Sequence, residues 1–532
     1  MKKLLSVLFL SFCASLFAQE GETQKNPSVE LPSFVITGKD VISLPKAKKM
    51  QSGFISTVSE EYFKPAFTPD DFEITSIPEP GKREFNSLDS VSFINGSVTG
   101  ALGINYRPYA QADFAQQFED GSFNIEGLAF NKRAYVENSD RYLFSGGAGF
   151  TFYIRDKSPF LSNSKINASG NYSVDGYKLY ATSNPSANRK LESGKFDFVF
   201  NNPSSNSLAY DFDLFNTISK IQSEHYTENV TGLKAYAQIP ISNFNLNGKA
   251  ILLNQRLSNG IFANKNYRLF DIKPYAGLAL SKIVKVQAGF DFFNSDSVTE
   301  GYLYGAIEIP LSIGFSIYGE FSPQSSLMSF YDISKENRFF NVQSVQNIIV
   351  KKKNFMTVNF KYEYEKYYEI NGGFEYFSSD KYPWLGDVKD TGLYNVNYSS
   401  VKSGALFVNF LFHKGPYGYF YGDVRFNKVN TDDNKQLPFV PEFTTNLNYG
   451  YDLGNGMAME CKLKYRNLTY TDILNKDKLG QYIDFSIKGI YNYSPVFSFF
   501  GEINNLLNNK NYFLKGYQED TFNLNFGINY KL

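Results

Sequence analysis

The last residues of the chain read Phe522-Asn-Leu-Asn-Phe-Gly-Ile-Asn-Tyr-Lys-Leu532. Every even position is apolar or aromatic and every odd position is polar or glycine. In an extended chain successive side chains point to opposite faces, so this run offers one face to an apolar medium and the other to water. The same alternation sets Met356, Val358, Phe360, Tyr362 and Tyr364 against Thr357, Asn359, Lys361, Glu363 and Glu365. It returns in Tyr368, Ile370, Gly372, Phe374 and Tyr376, and in Ile483, Phe485, Ile487, Gly489, Tyr491 and Tyr493. Runs of about ten residues exceed the ~5 to 6 usual in soluble sheets. They match the ~9 to 11 that a strand needs to cross a bilayer at a tilt.

Outward from these runs, polar clusters divide residues 91–532 into about 22 similar segments, and membrane barrels favour even strand numbers. The predicted fold is all-β: a transmembrane antiparallel β-barrel of 18–22 strands, with 22 favoured. Aromatics make up 17% of the chain, with 39 Tyr and 52 Phe. They flank the apolar strand centres, as Tyr417, Tyr419, Phe420 and Tyr421 do, where an amphipathic ring satisfies headgroups and hydrocarbon together. A mean hydropathy of -0.32 suits a soluble protein equally, but alternation keeps a barrel's average low. The competing architecture is a secreted β-sandwich or propeller with an aromatic core. Lys+Arg and Asp+Glu balance at 53 each, which removes the cationic excess that nucleic-acid binding rests on.

The chain opens with Lys2 and Lys3, an apolar run from Leu4 to Phe17, and Ala18 before polar sequence. This is the form of a signal peptide over 1–18, cleaved after Ala18. A lipoprotein signal at Cys13 is the rival, opposed by the bulky Phe12 before it. With Cys13 removed only Cys461 remains, so the fold has no intramolecular disulfide. Beyond the signal no window of ~18 apolar residues could form a spanning helix. Residues 19–90 hold seven of the 20 prolines and alternate weakly, which predicts an extended periplasmic segment before a barrel over 91–532. Lys46 to Lys49 reads as a solvated turn that could meet anionic lipid, and Lys351-Lys-Lys353 also reads as a solvated turn.

Catalysis is not expected. His225 and His413 are the only histidines, and neither stands in a nucleophile, base or metal-ligand spacing. Both read as loop or strand-end residues. No metal site and no cofactor is predicted.

Asn525, Gly527, Tyr530 and Leu532 occupy the polar-x-Gly-x-x-apolar-x-apolar places in which outer-membrane barrels end. A last strand with one apolar face and a free edge can pair with the barrel-assembly machinery. Leu532 stands where Phe or Trp is commoner. The Asn505-Leu506 pair, Asn508, Tyr512 and Gly516-Tyr517, with the final strand, resemble the closing region of TonB-dependent receptors. Leu437-Pro-Phe-Val-Pro441 is similar to that family's proline-marked entry into its late strands. The resemblance implies an outer-membrane location among outer-membrane lipid, a role in uptake, and a docking segment for a TonB-like energising protein.

That segment matches Leu31, Pro32, Ser33, Phe34, Val35, Ile36, Thr37 and Gly38. Phe34 to Thr37 favour an extended backbone, Pro32 limits premature pairing, and Gly38 ends the run, as strand addition requires. A first strand packing locally is the structural alternative. The resemblance breaks at the plug. The family's Ile-Arg-Gly signature occurs nowhere in the chain, and the residues between Lys39 and the first barrel strand are too few for that domain. An unplugged 22-stranded barrel would be a wide hole. Either the barrel is smaller, or 39–90 folds inside it, or another protein fills it. Energised uptake is the leading function. A scaffold barrel tethering other periplasmic envelope proteins, or a passive porin, are the alternatives.

Overall fold

The computed structural model describes residues 96–154, 161, 164–202, 208–242, 244–259, 262–281, 284–295, 298–312, 314–345, 349–364, 367–387, 391–413 and 418–532. Over them the chain forms a closed antiparallel barrel of 22 strands. Each strand pairs with its sequence neighbour. The ring closes where Gly96–Gly103 pairs with Asn523–Lys531, from Ser97 opposite Lys531 to Gly103 opposite Asn525. Both termini of the barrel therefore lie at one end, and the opposite end is called the distal mouth below. The longest strands, Tyr368–Asp387 and Tyr394–His413, have 20 residues each. At ~3.3 Å per residue they run about 65 Å, more than a tilted strand needs to cross ~30 Å of hydrocarbon.

The wall is built inside out. Leu102, Leu303 and Phe526 are 64%, 65% and 62% exposed on the outer face, while Asn525, Thr357, Ser403 and Glu460 are buried on the inner one. In the last strand Asn523, Asn525 and Gly527 point inward, and Phe526, Ile528 and Tyr530 point outward. An apolar exterior of this kind is solvated by lipid chains, and the polar interior by water. Polar side chains satisfy one another along the inner wall, as Arg425 does with Glu375 at 2.6 Å and Asn446 with Asp423 at 2.9 Å.

Glycine and aromatic residues work as cross-strand pairs. Gly527 faces Phe500, Gly450 faces Tyr419, Gly176 faces Tyr142 and Gly422 faces Phe410. In each pair the ring lies over the glycine, so that an added Cβ at Gly527 would stand 2.2 Å from Phe500 Cζ. A ring shields backbone that glycine leaves bare. This pairing, besides the headgroup-level rings, accounts for part of the aromatic content.

Lys351 to Lys353 do not form a turn. They lie within the strand Ile349–Tyr364, where Lys351 pairs with Glu300 at 2.6 Å and lies 3.8 Å from the Phe293 ring centre. Lys353 pairs with Asp380 at 2.5 Å. Lys351 and Lys353 share Glu300, at 2.6 and 3.7 Å, and Lys352 lies 4.9 Å from the Phe377 ring centre, so the run of like charge is tolerable because it is answered across the sheet.

Candidate functional site: a mouth closed by its own loops

Leu31 to Gly38 lie outside the described residues. Asn525, Gly527 and Tyr530 sit on the closing strand, and Leu532 donates its N–H to the Gly96 carbonyl at 2.8 Å. The final residues thus seal the barrel seam. His225 occupies a left-handed turn position, φ 50°, between Ala209–Ile221 and Tyr226–Ile241. His413 ends the strand Tyr394–His413 at the other end of the barrel. Both are where the sequence placed them, in a turn and at a strand end.

The distal mouth is where the chain departs from a simple barrel. Residues 322–348 connect Phe315–Phe321 to Ile349–Tyr364. The segment first extends its neighbour, with Gln324 to Leu327 pairing against Lys352 to Ile349. Ser329 then starts helix α1, Phe330–Glu336, through a reciprocal capping box with Asp332. The box satisfies N–H groups that a helix start leaves open. Glu228, fully buried on the inner wall, receives the Phe330 N–H at 2.8 and 3.0 Å on its two oxygens. Phe330 itself stacks on Tyr226 with ring centres 4.5 Å apart and meets Phe340 edge-on at 4.9 Å. Buried ring pairs of this kind add about 0.5–1.5 kcal/mol beyond their area.

Past α1 the segment reaches other sectors of the wall. Arg189, 2% exposed, donates to the carbonyls of Phe340 at 2.9 Å and Arg338 at 3.1 Å, and pairs with Glu224 at 2.5 Å. Tyr177 Oη donates to the Arg338 carbonyl at 2.8 Å. On a further sector, Asn341 N–H donates to the Tyr394 carbonyl at 2.7 Å, and Tyr394 N–H to that of Phe339 at 3.2 Å. Phe339 stacks on Tyr517, centres 3.6 Å apart and planes 13° from parallel. Tyr517 lies in the connection before the last strand. One loop therefore bonds to walls at Tyr177–Arg189, Glu228 and Tyr394, and to the loop carrying Tyr517.

The loop before the last strand is itself folded inward. Asn505, φ 47° and buried, donates through its amide to the Asn509 and Asp520 carbonyls at 2.8 and 2.9 Å. Asn508 accepts the Phe522 N–H at 3.2 Å, and Gly516 turns at φ +86°. The residues read as a closing motif are thus the ones that shape this loop. Tyr394 and Tyr517 exchange support, donating to the Lys515 and Gly392 carbonyls at 2.8 Å each. Tyr135 and Tyr180 both donate to the Gln518 carbonyl, at 2.8 and 2.7 Å. Burial pushes the Tyr180 phenol up to about 12, so it remains a donor at physiological pH. Burial also raises the Glu519 carboxyl above its usual 4.5, against the pull of Arg338. Asp520 is salt-bridged to Lys132. Leu437, read as part of a proline-marked turn, is buried in a cluster with Phe355, Phe377, Val401 and Val429.

These contacts form a cap bonded at several points to the barrel's own inner wall and to its neighbouring loops. Alternation along the strands is blind to it, because its partners are far apart in sequence. One local signal is legible in retrospect: Ser329-x-x-Asp332 before Phe330 and Ile333 is a helix start in a chain otherwise made of strands. Among the described residues no three His, Cys, Asp or Glu side chains are grouped to hold a metal ion.

By structure the chain is similar to the FrpB iron transporter from Neisseria meningitidis, with a TM-score of 0.62 and 10% identity, covering 84% of this chain and 82% of that one. It is similar to the ferric-catecholate import receptor Fiu from K12 E. coli, in a closed form, with a TM-score of 0.60, 8% identity and 82% of each chain covered. The ferripyoverdine receptor of the outer membrane of Pseudomonas aeruginosa, bound to ferripyoverdine, gives a TM-score of 0.60 at 10% identity, covering 82% of this chain and 72% of that one. In sequence the chain matches no protein-family model and no curated protein. At these identities the likeness is one of fold: the chain shares the barrel of these outer-membrane receptors and transporters.

Proposed function

We propose that the protein is an outer-membrane uptake barrel that works with a TonB-like energising protein, docked through Leu31 to Gly38. The observation that carries this reading is a receptor-type barrel of 22 strands with a polar interior and a mouth shut by its own loops. A wide barrel kept shut suits a transporter that opens on demand. The fold by itself does not assign the activity. The strand-forming run at Phe34 to Thr37 supports the energised form, since strand addition needs an extended segment with open main-chain groups. Substrate enters from the distal side, where the cap must yield, and leaves toward the end that carries the termini.

A second reading has one observation in its favour. The cap's buried carbonyls and phenols are bonded to the barrel itself, as a permanently closed scaffold would also require. A photocrosslinker at Val35 separates the two. Uptake predicts crosslinks to the energising protein's periplasmic domain, lost when Ile36 is replaced by Pro. Capture of other envelope proteins with none of that domain contradicts it. A passive porin is disfavoured by the cap.

A further inference from the structure

The barrel wall is notched at its distal rim. Val298–Ser312 pairs with Lys285–Ser295 from Val298 to Glu308, but with Phe315–Phe321 only from Gly305 onward. Beyond Phe321 the chain leaves the wall. Pro323 has no N–H with which to continue the ladder, and Gln324–Leu327 pairs with Ile349–Tyr364 instead. That pair leans into the lumen: Ser325 Oγ donates to Asp271, two strands round the wall from Val298–Ser312, and Lys273 donates to Ser322 Oγ at 2.5 Å. Among the described residues no strand is paired with residues 298–304 on the notch side. On the far border, Ile349–Tyr364 last meets Tyr368–Asp387 where Lys353 faces Ser378, so residues 379–387 pair with Tyr394–His413 alone. Alternation fixes which main-chain groups are bare. Ser295 and Val298 face each other across two intervening residues, and residues that close such a connection bond to each other. Val298, Glu300, Tyr302 and Tyr304 therefore direct their N–H and C=O groups to Lys285–Ser295, while Thr299, Gly301 and Leu303 direct theirs into the notch. Thr299 and Gly301 are exposed, and Leu303 is 65% exposed.

We infer that residues 298–304 are a docking edge for an extended peptide segment of a second protein, which adds to the wall there as a strand. The N–H and C=O groups of Thr299, Gly301 and Leu303 are what strand addition uses. The two borders of the notch differ. Residues 379–387 carry Asp380, Lys381 and Pro383, the charges and proline that blunt a strand edge. Residues 298–304 are mostly strand formers, and their one charge, Glu300, is held by Lys351 at 2.6 Å. The width selects the occupant. Nearer the terminal end two strands fill the space between Val298–Ser312 and Tyr368–Asp387, so the notch spans three spacings of ~4.8 Å, about 14 Å. A single strand enters such a gap, and the wall of a second barrel does not. Leu303 stands opposite Phe290 and Gly301 opposite Phe292 on the outer face, the two rings being 55% and 53% exposed. Outward side chains of the added segment are therefore apolar and extend this patch, while inward ones meet Glu300 and Tyr302 and are polar. The inference goes beyond uptake and holds whether or not the barrel transports.

The test uses the full chain in lipid nanodiscs, residue-resolved hydrogen exchange, and a fluorescent alternating Val-Thr octapeptide as the probe. In the chain alone the N–H groups of Thr299, Gly301 and Leu303 should exchange freely, and those of Glu300, Tyr302 and Tyr304 should be protected. Adding the probe should protect the first three. The variant T299P/L303P removes two N–H groups that Lys285–Ser295 does not use, and should bind the probe about thirtyfold more weakly, at roughly fivefold per bond. The variant T299S/L303I keeps both N–H groups and should bind like wild type. Folding of each variant is checked by heat-modifiable gel mobility. If the proline variant does not fold, the exchange pattern and a probe N-methylated at alternate amides decide the question in wild type. Protection of Thr299, Gly301 and Leu303 in the chain alone would overturn the inference, because the edge would already be covered. So would a probe that leaves those three amides unprotected, or equal binding by the folded proline variant. Equal binding of the N-methylated probe would also overturn it, showing partition into the bilayer.

Discussion

Replacing Arg189 with Ala should release the cap while leaving the barrel standing. The guanidinium is 2% exposed and makes two bonds to the Phe340 and Arg338 carbonyls besides its pair with Glu224. A bond to a charged group contributes about 1.5–3 kcal/mol, and breaking a buried pair costs about 3–5 kcal/mol. Glu224, with its side chain 27% exposed, can turn to water, which favours the lower end, about 3 kcal/mol. Each 1.4 kcal/mol is tenfold, so the opening equilibrium of the cap should shift by about a hundredfold. Hydrogen exchange reads this directly at Asn341, Tyr394 and Val396, whose N–H groups bond to the Tyr394 carbonyl, the Phe339 carbonyl and Ser344 Oγ. Their exchange should accelerate about a hundredfold, while amides in mid-barrel strands such as Met457–Arg466 keep their rates. Arg189→Lys should fall between, because an ammonium keeps the charge but not the fork. Unchanged protection at Asn341 and Tyr394 in the Ala variant, with the barrel folded, would refute the reasoning that Arg189 holds the cap.

Three further outcomes follow from named geometry. Gly527→Ala puts a methyl group against Phe500 and the Gly100 carbonyl at the barrel seam. Overpacking of this kind costs about 1–3 kcal/mol, so the heat-modifiable folded fraction should drop, and Phe500→Ala in the same chain should restore part of it. Glu519 is raised above 4.5 by burial, with Arg338, Lys132 and Arg141 pulling it down and Asp520 pushing it up. Its protonated form is favoured in the folded cap, so its stabilisation is complete below pH 4.5 and is lost as pH rises through the raised value. Cap protection in hydrogen exchange, corrected for intrinsic rates, should therefore weaken with rising pH across that window, and Glu519→Gln should flatten the dependence. Cys461 stands opposite Tyr449 and Ile487 on the outer face. In membranes it should react with a bilayer-partitioning maleimide and resist a membrane-impermeant one, and equal labelling by both would place that strand face in water.

Strand number and facing were legible in the sequence because a bilayer imposes a period of two over long runs. Phe522 to Leu532 carried that signal, and the strand Asn523–Lys531 turns out to close the ring against Gly96–Gly103. The closing-motif asparagines, Asn505 and Asn508, were recognisable as a pattern, and their physical task emerged only with the fold: two left-handed turns that bend the last loop into the mouth. The cap stayed hidden for a simple reason. Arg189 and Phe340 are 151 residues apart, and no local rule brings them together. Lys351 to Lys353 were misread for a related reason, since a run of ammonium groups looks solvated until its cross-strand partners, Glu300 and Asp380, are known. Of the three ways to resolve a wide empty barrel, a smaller ring is ruled out by the 22 strands. Closure of the mouth by the connecting loops was not among them.

Single-channel recording tests the closed mouth most directly. In a planar bilayer the full chain should pass no steady current, and a chain in which residues 324–345 are replaced by an Asn-Gly turn should conduct steadily. A full chain that conducts steadily, with a current as large as the loop-deleted one, would contradict the account.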